Sequence, residues 1–560
     1  MSKKKVRNPL IKRIPKELIG DWKKYLVVFL FLVLTIGFVS GMYVANESML
    51  KSAADGVKKY KQEDGHFELK KQADDALLSA IETGEKADVK QYYLDEAKKK
   101  LDKKFPKKFK STFDEKFKSK FDAQFSAQVK QTLVAQGMDE QTVAAMLPAA
   151  VKQAKADGTY KNAYDKAYSS AYTDAYDKAY DEAWKKAQDK IEDKYADAEE
   201  KYELNDPDFK ATKTTVYENF FRNEEEDYNN DGKKDGTIRV FPQTEDINLA
   251  CLLKGSFPQT KDEIAIDRMH ADNVGVTVGD TITISGETYK IVGLLAYVNY
   301  STLHEKTTDL MFDALKFDVA MVTPEGFDRL HKSVHYTYAW KYENEPEDDA
   351  QEKIQSDNFM RALLTQVVVA DNELEDYTPK YGNPAINFAT DDMGSDKAMG
   401  GVLLDILIVI IAFIFAVTIS NTIAKEASAI GTLRASGYTK GELIRHYLSM
   451  PVIVTLLAAI VGNILGYTVF KNVVVSMYYN SYSLPTYYTI WNPDAFFKTT
   501  LIPVILMLVV NLIVIVRMMQ HTPLQFLRHD LKKTKNKKAM RLPRWKFLSR
   551  FRVCVSCSRM

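Results

Sequence analysis

Cysteine is scarce in this chain, with three residues among 560. Cys251 has no neighbouring cysteine in the middle of the chain, and Cys554 and Cys557 lie in the basic tail. This usage excludes a disulfide-rich extracellular domain. The Cys554-Val-Ser-Cys557 segment has CxxC spacing but no βαβ pattern around it. We therefore favour an unstructured tail over redox or zinc chemistry there.

An excess of one charge is also lacking. The chain carries 77 Lys and Arg against 75 Asp and Glu, a net charge of +2, which does not favour nucleic-acid binding. The histidines are scattered, and no Ser/His/Asp or Cys/His constellation stands out. The segment GTLRASGYTK lacks the glycine and lysine spacing of a phosphate-binding loop. We expect a chain that is not an enzyme and has no cofactor of its own.

One acidic segment superficially matches a calcium loop. Asp227, Asn229, Asp231 and Asp235 lie at EF-hand-like offsets, but the final acidic position is Ile238, which cannot bind a cation. We favour a surface turn rich in asparagine and glycine, and we expect no metal.

Long apolar runs are few but clear. Four are long enough to cross a bilayer core of about 30 Å as helices, and they cover residues 25–45, 401–424, 447–470 and 499–519. The first is longer than the core of a signal peptide and precedes no clear cleavage site. We predict that it is an uncleaved membrane helix rather than a cleaved signal.

The polar segments between these runs predict the topology. They are a basic N-terminus at 1–24, a large segment at 46–400, a connector at 425–446, an aromatic loop at 471–498 and a basic tail at 520–560. The positive charge of the N-terminus, connector and tail predicts that these lie in the cytoplasm. The large segment is then extracellular, both chain termini are cytoplasmic, and the tail is expected to contact anionic lipid.

Two rows of aromatic residues, each at four-residue spacing, mark the first half of the extracellular segment. The rows are Phe105, Phe109, Phe113, Phe117, Phe121 and Phe125, then Tyr160, Tyr164, Tyr168, Tyr172, Tyr176, Tyr180 and Trp184. Residues at i and i+4 are neighbours on a helix, so each row forms a ridge. Each four-residue step moves the ridge about 40° around the helix axis in the right-handed sense. The seam of a heptad coiled coil moves in the opposite sense.

The two ridges predict a long helical hairpin within about 100–205. Its arms cover about 107–135 and 150–200, and Gly137–Pro148 lies near the tip. We expect the ridges to pack on each other, since aromatic stripes at helical spacing usually belong to cores. The alternative is that the tyrosines bind an extracellular partner or the cell wall.

Two pairs of glycines have the spacing that lets membrane helices approach closely. They are Gly37 with Gly41, and Gly462 with Gly466. We favour packing within one chain over a seam between two copies of the chain.

The connector shows the local signals of two short-linked helices. Ile430 and Leu433 can line one side of a short helix, and Gly437 is placed to end it in the left-handed conformation. Thr439 and Glu442 have the spacing of a capping box, which predicts the start of the next helix.

The connector sequence AIGTLRASGYTKGELI resembles the cytoplasmic segment of FtsX-like permeases, the MacB type of ABC transporter membrane subunit. The family pattern is Glu-Ile-Gly-x-Leu-Arg-Ala-x-Gly. The matching residues are Ile430, Gly431, Leu433, Arg434, Ala435 and Gly437. The acidic position of the family is Ala429 here, and Glu426 lies about one turn earlier.

A second resemblance lies in the extracellular segment. FPQTKDEIAIDRMHADNVGVTVGDTITISGETYKIVGL, within 236–345, resembles the α+β extracellular core domain of MacB-like permeases. Predicted strands cover residues 237–241, 263–267, 281–285 and 288–294. Gly286-Glu287 is predicted to turn the hairpin between the last two strands. The predicted fold is thus a bundle of four transmembrane helices with a large α+β extracellular domain carrying the helical hairpin.

The resemblance implies a permease subunit in a bacterial plasma membrane. Such a subunit works with a separate cytoplasmic ABC ATPase and a second permease copy or half, and acts on an extracellular partner. The family segment would dock on the ATPase, with Arg434 as polar anchor and Ile430 and Leu433 as apolar contacts. The rival hypothesis is a membrane-anchored scaffold or receptor without an ATPase, which has no need of a docking segment between two membrane helices.

The extent of the permease is a separate expectation. RLPRWKFLSRFR at 541–552 resembles the basic lead-in IKRIPKELIGDWKK at 11–24, which precedes the first apolar run. The chain is therefore expected to be either half of a larger, duplicated permease or a four-helix subunit that dimerises.

Overall fold

The computed structural model describes residue 20, residues 22–202, residue 204 and residues 206–531. Its chain divides into two compact units. The helical unit takes in the described residues of Met1–Asp55, Ala389–Tyr482 and Thr486–Met560, and the sheet unit comprises Gly56–Phe388 and Ser483–Pro485.

Several sequence predictions fall outside the described residues. They concern nearly all of the basic N-terminus at 1–24, the tail beyond residue 531, the cysteines Cys554 and Cys557, and the lead-in-like segment at 541–552.

The helices are numbered here in chain order. They are α1 Trp22–Lys59, α2 Asp75–Glu82, α3 Val89–Ala135, α4 Glu140–Ala156, α5 Thr159–Tyr202, α6 Arg268–Val274, α7 Pro324–Asp328, α8 Asp349–Val369, α9 Pro384–Lys425, α10 Ala427–Ala435, α11 Lys440–Leu465, α12 Lys471–Ser481, α13 Pro493–Phe496, α14 Ile502–Met518 and α15 Pro523–Leu527. Two five-residue π-helical turns, Gly466–Phe470 and Phe497–Leu501, continue α11 into α12 and α13 into α14.

Four helical stretches of the described chain are long and apolar enough to cross a membrane. They are Tyr25–Lys59, Pro384–Lys425, Lys440–Ser481 and Pro493–Met518. Each matches one of the four predicted apolar runs, and only Met519 of the fourth run falls outside its stretch. Every stretch exceeds the roughly 20 residues that a bilayer core requires.

The interior of the helical unit is built from all four stretches. Its central cluster includes Ile36 of α1, Phe415 of α9, Ala458 of α11 and Met507 of α14. Large apolar side chains also remain on the outside, as with Phe413, which is 69% exposed. Apolar residues both inside and outside suit a bundle that lipid surrounds.

The strands of the sheet unit are β1 Gly65–Leu69, β2 Thr214–Glu218, β3 Arg222–Asp227, β4 Gly236–Pro242, β5 Ala250–Gly255, β6 Glu263–Asp267, β7 Thr281–Ile284, β8 Glu287–Tyr297, β9 Phe317–Val322, β10 Tyr336–Tyr342 and β11 Leu374–Pro379. The larger sheet has seven strands in the order β5-β8-β6-β9-β4-β3-β7. An added pairing of β7 with β8 closes six of them into a ring.

The ring mixes parallel and antiparallel pairs. β4 runs parallel to β9, and β6 runs parallel to β8, while the other pairs are antiparallel. Its apolar interior holds fully buried residues such as Ile238, Ile264, Ile282 and Ile291. Burial of these branched side chains on one face of each strand fixes the strand register.

The predicted hairpin of the larger sheet needs a correction of one residue. Ile284 pairs with Glu287, so the two-residue turn is Ser285-Gly286 rather than Gly286-Glu287. Both turn residues have positive φ, 46° at Ser285 and 90° at Gly286. Positive φ at both central positions is what a tight hairpin turn requires.

The second sheet has four antiparallel strands in the order β11-β1-β10-β2. Helices α2 and α8 bury one face of it. Its core is aromatic: Trp340 is fully buried and its ring lies 5.0 Å from those of Phe359 and Tyr377. Three of its strands, β1, β2 and β11, lie outside the 236–345 segment to which the sequence assigns the α+β core.

The aromatic rows lie on α3 and α5, and they face each other. Within each row successive rings stack, as Phe113 does on Phe117 at 5.3 Å. Between the rows the rings meet edge to face, as Phe113 does with Tyr172 at 5.2 Å and an interplanar angle of 90°. Aromatic rings favour this perpendicular arrangement because the positive edge of one meets the negative face of the other.

The segment between the two rows differs from the prediction of a simple hairpin tip. The described structure has three helices there instead of two, because α4 covers Glu140–Ala156 as a separate helix. The helical conformation is interrupted on both sides of α4, at Gly137 and Gly158. Their φ values of 83° and 85° end the preceding helices. The second aromatic helix therefore begins at Thr159 rather than near residue 150.

Candidate coupling site

The connector is a short helix with a glycine-dependent end. α10 is followed by Ser436 and then by Gly437, which has φ of 101°. The N–H of Gly437 bonds to the carbonyl of Arg434 at 3.3 Å, and that of Tyr438 bonds to the carbonyl of Leu433 at 3.1 Å. This pair of bonds is the Schellman ending of a helix. The sequence prediction that Gly437 ends the helix is therefore confirmed.

The next helix starts as the sequence predicts. Thr439 accepts a hydrogen bond from the N–H of Glu442, and the Glu442 carboxylate accepts one from the N–H of Thr439 at 2.9 Å. The capping box is confirmed. It satisfies two backbone donors that the first turn of α11 leaves without helical partners.

The predicted contact residues of the connector face inward to different degrees. Ile430 is fully buried in a cluster with Ile423 of α9, Leu443 of α11 and Phe526 of α15. Leu433 is half-buried against the same cluster. Ile430 therefore stabilises the position of α10, and it cannot touch a partner chain without leaving this core.

Arg434 is also engaged within the chain. Its Nη1 donates hydrogen bonds to the backbone carbonyl of His521 and, at 3.4 Å, to that of Met519. These carbonyls belong to the turn that follows α14. The planar guanidinium thus joins the end of α10 to the end of the fourth apolar stretch.

Helix α15 is a part of this site that the sequence reasoning missed. Thr522 and Gln525 form a second capping box, and Pro523 occupies the first helical position. That Thr-Pro-x-Gln signal is present in the sequence and could have revealed the helix. Gly431 lies directly against α15, since a Cβ at this position would stand 2.9 Å from Leu527 Cγ.

The exposed side of the two short helices carries apolar and basic groups. Leu524 and Leu527 of α15 are 55% and 45% exposed, and Ala435 of α10 is also exposed. Exposed basic side chains in the same part of the chain are those of Lys425, Lys440, Arg445 and Arg528. We call Ala435, Leu524 and Leu527 with these four basic residues the connector surface.

Glu426, which lies about one turn before the family's acidic position at Ala429, also has a defined hydrogen-bond partner. Tyr447 Oη on α11 donates a hydrogen bond to Glu426 Oε2 at 2.6 Å. Glu426 is the N-cap residue of α10. The contact ties the start of α10 to α11.

The four packing glycines bring α1 and α11 together within one chain. A Cβ at Gly462 would lie 2.8 Å from Ile36 Cγ2, and one at Gly466 would lie 2.8 Å from Ser40 Cβ. Cβ atoms at Gly37 and Gly41 would lie 2.9 and 2.6 Å from the side chain of Phe470. These contacts leave no space for a larger side chain at any of the four positions.

Polar side chains support the same contact. Asn463 Oδ1 accepts hydrogen bonds from Ser40 Oγ at 2.9 Å and from Thr499 Oγ1 at 3.0 Å, which links three helical stretches. Asn511 behaves differently, because its Nδ2 bonds to the Met507 carbonyl of its own helix at 2.7 Å. Asn463 therefore bridges helices, whereas the Nδ2 bond of Asn511 stays within its own helix.

The acidic segment after β3 forms a turn closed by its own backbone. The carboxylate of Asp227 accepts hydrogen bonds from the N–H groups of Asp231 at 3.0 Å and Gly232 at 2.8 Å. Asn229 Oδ1 accepts another from Asp231 N–H at 2.9 Å. These bonds are those of asparagine and aspartate turns.

Comparison with known proteins identifies the C-terminal part of the chain. Residues 401–523 match the family model described as FtsX-like permease C-terminal. The match covers the second, third and fourth apolar runs in full and all six of the connector residues named above, and it ends at Pro523, the first residue of α15. The resemblance that the connector sequence showed is therefore confirmed.

One solved structure of low similarity covers part of the chain. The periplasmic region of MacB from Actinobacillus actinomycetemcomitans is 8% identical, covers 31% of this chain and 75% of that chain, and has a TM-score of 0.18. That score is too low to establish a shared fold. Comparison with the curated proteins finds no match.

Proposed function

We propose that this chain, whose residues 401–523 form an FtsX-like permease domain, is the membrane subunit of an ABC transporter. In this proposal a separate cytoplasmic ATPase binds the connector surface. ATP-driven motion then passes through the membrane helices to the sheet unit, which lies outside the cell and acts on an extracellular partner. The family match is the observation that carries the proposal, and the geometry of α10 and α15 supports it.

The composition of the connector surface supports an ATPase as its partner. Leu524 and Leu527 offer exposed apolar groups, and four exposed basic side chains lie in the same segments of the chain, with Glu442 and Asp530 as exposed acids. A groove with an apolar floor and acidic rim would complement this surface. Positive charge on these segments also favours the cytoplasmic side for them and for both chain termini.

The buried residues of the connector would transmit the motion. The cluster around Ile430 includes Ile423 of α9, Tyr447 of α11 and Ile515 of α14. Arg434 adds hydrogen bonds to the turn after α14. Because packed interiors transmit strain, displacement of α10 should move the ends of three helices together. Arg434 and Ile430 thus act as positioning residues rather than as direct contacts.

Further partners follow from the same proposal. A permease of this type works as a pair, so a second permease copy or half is expected in the membrane. The exposed apolar side chains of the four spans would contact this second subunit and lipid. The described residues provide the surface for both.

Co-purification tests the proposal. Full-length tagged chain is isolated from its native membranes in mild detergent, and the bound chains are identified by mass spectrometry. We expect an ABC ATPase with the wild type, and much less of it with Leu524→Glu, which replaces an exposed apolar group with a charge. Leu310→Glu in the sheet unit is the matched control, since Leu310 is 92% exposed.

Two outcomes would contradict the proposal at different levels. If the wild-type chain recruits no ATPase, the permease proposal fails, and a membrane-anchored scaffold or receptor takes its place. If Leu524→Glu recruits the ATPase as the wild type does, the permease proposal stands and the connector surface is the wrong contact.

A further inference from the structure

Three titratable side chains meet in the interior of the sheet unit. Glu226 lies near the end of β3, His270 on α6 and Asp318 on β9. All three are fully buried, and one ligand atom from each lies within 4.8 Å of the others. Two carboxylates and an imidazole buried together need compensation, because isolated charge is costly in a protein interior.

Two of the three side chains are held in place by hydrogen bonds that leave one polar atom of each without a partner. His270 Nδ1 lies 2.8 Å from the carbonyl of Ala314, so Nδ1 carries the proton and donates it. Asp318 Oδ1 accepts hydrogen bonds from the N–H groups of Val319 at 2.7 Å and Asp267 at 3.2 Å. These bonds orient the imidazole of His270 and the carboxylate of Asp318.

The atoms that face one another lack hydrogen-bond partners among the described residues. They are Glu226 Oε1 and Oε2, His270 Nε2 and Asp318 Oδ2. His270 Nε2 and Glu226 Oε1 are 3.1 Å apart, but they are not aligned as a hydrogen bond. Four buried polar atoms in one place without partners are exceptional in a folded protein.

We propose that Glu226, His270 and Asp318 bind one divalent transition-metal cation of the zinc type. A neutral imidazole whose Nδ1 donates to a backbone carbonyl presents Nε2 as a metal ligand. Carboxylate oxygen and imidazole nitrogen are donors that zinc accepts, at about 2.0–2.2 Å. The 3.1 Å between Nε2 and Oε1 is close to the edge of about 3.3 Å that such bonds give in a tetrahedron.

Charge balance is compatible with a divalent cation. An imidazolium neutralises only one of the two carboxylates, so without a cation the other must hold a proton of its own. A divalent cation with neutral His270 balances both ionised carboxylates. The ion would crosslink β3, β9 and α6. This proposal departs from the sequence expectation that the chain binds no metal.

The enclosure of the site predicts slow exchange. Since the ligand residues are fully buried, the ion enters during folding and leaves only when the unit opens. Metal bound to exposed carboxylates is removed by a brief chelator wash, whereas this ion is retained. Retention after the wash therefore separates the proposed site from adventitious surface binding.

The test is metal analysis of the full-length chain, purified with a tag that contains no histidine from cells supplied with zinc. After an EDTA wash we expect about one zinc per chain by mass spectrometry. Glu226→Gln and His270→Gln should lower retained zinc at least about tenfold. Glu224→Gln is the matched control on the same strand, because buried Glu224 bonds instead to Ser285 Oγ and to the N–H of Lys332 at 2.9 Å.

A measurement on the wild type keeps the test decisive if a variant does not fold. X-ray absorption at the zinc edge should show one imidazole nitrogen and carboxylate oxygens at about 2.0–2.2 Å. Wild-type chain that retains no zinc after the wash, or retains it equally with Glu226→Gln, would overturn the proposal. The three side chains would then be a buried ion pair with a shared proton.

Discussion

The guanidinium of Arg434 donates a hydrogen bond to the backbone carbonyl of His521. This bond joins α10 to the turn that follows α14. An arginine that the sequence marks as a contact for another chain is thus a link between two parts of its own chain.

Substitution of Arg434 should weaken coupling more than it weakens recruitment. Arg434→Ala removes both hydrogen bonds to the turn, and a buried carbonyl without its donor costs about 1–3 kcal/mol. We expect the ATPase to co-purify nearly as before, while its stimulation in reconstituted membranes falls several-fold. Arg434→Lys, which keeps the charge but not the planar fork, should be intermediate. Complete loss of co-purification would instead make Arg434 a direct contact.

Gly437 should not tolerate a β-branched residue. Its φ of 101° is in the region that L-residues rarely adopt, although the space beside it is open. Gly437→Val is expected to destabilise the helical unit by about 1–3 kcal/mol, measured as a lower midpoint of thermal unfolding in detergent. Gly441→Ala is the matched control. It lies four residues away, also faces open space and has no positive φ. An equal effect of both variants would refute the backbone explanation.

Enlarging Gly466 should separate α1 from α11. A Cβ there would stand 2.8 Å from Ser40 Cβ and 3.0 Å from the Gly37 carbonyl. We expect Gly466→Val to lower stability by about 1–3 kcal/mol through overpacking. Gly394→Val in α9 meets no atom within 4 Å and serves as control. If Gly466→Val behaves like the control, then α1 and α11 are not in close contact in the membrane.

The aromatic rows should show pairwise coupling. The Phe113 and Tyr172 rings meet perpendicularly at 5.2 Å. In a double-mutant cycle with Phe113→Ala and Tyr172→Ala we expect a coupling energy of about 0.5–1.5 kcal/mol. The cycle follows loss of helical circular dichroism on heating. Phe113→Ala paired with Lys116→Ala, an exposed position on the same helix, should show none. A value near zero for the aromatic pair would mean that the rows do not pack.

Alkaline pH should destabilise the packing of α3 against α5. Burial, together with the hydrogen bond that Tyr160 Oη donates to Asp122, raises the pKa of Tyr160 to about 12. The folded state thus prefers the protonated phenol. Its contribution to stability is complete below the unfolded pKa of about 10 and is lost as pH rises toward 12.

Absorbance of the phenolate, compared between the wild type and Tyr160→Phe, measures this pKa. Asp122→Asn should lower it without restoring the ordinary value, because burial is the larger cause. An ordinary pKa for Tyr160 in the wild-type chain would contradict the packing of α3 against α5.

Much of this molecule is determined by local sequence. The four apolar runs dictate membrane-type helices because a buried backbone in lipid must satisfy its own hydrogen bonds. Phenylalanine and tyrosine at every fourth residue dictate two ridges. Gly437 and the Thr439–Glu442 box dictate where the connector turns. Each of these signals acts over a few residues, so the sequence by itself suffices.

The tertiary structure decided what the side chains of those elements face. The sequence places Ile430 and Arg434 on a short helix, but only the packing of α15 and α14 against it turns them inward. Glu226, His270 and Asp318 lie far apart in the chain and carry no local motif. They meet because β3, β9 and α6 converge in one fold, and long-range packing of this kind leaves no periodic trace in a single sequence.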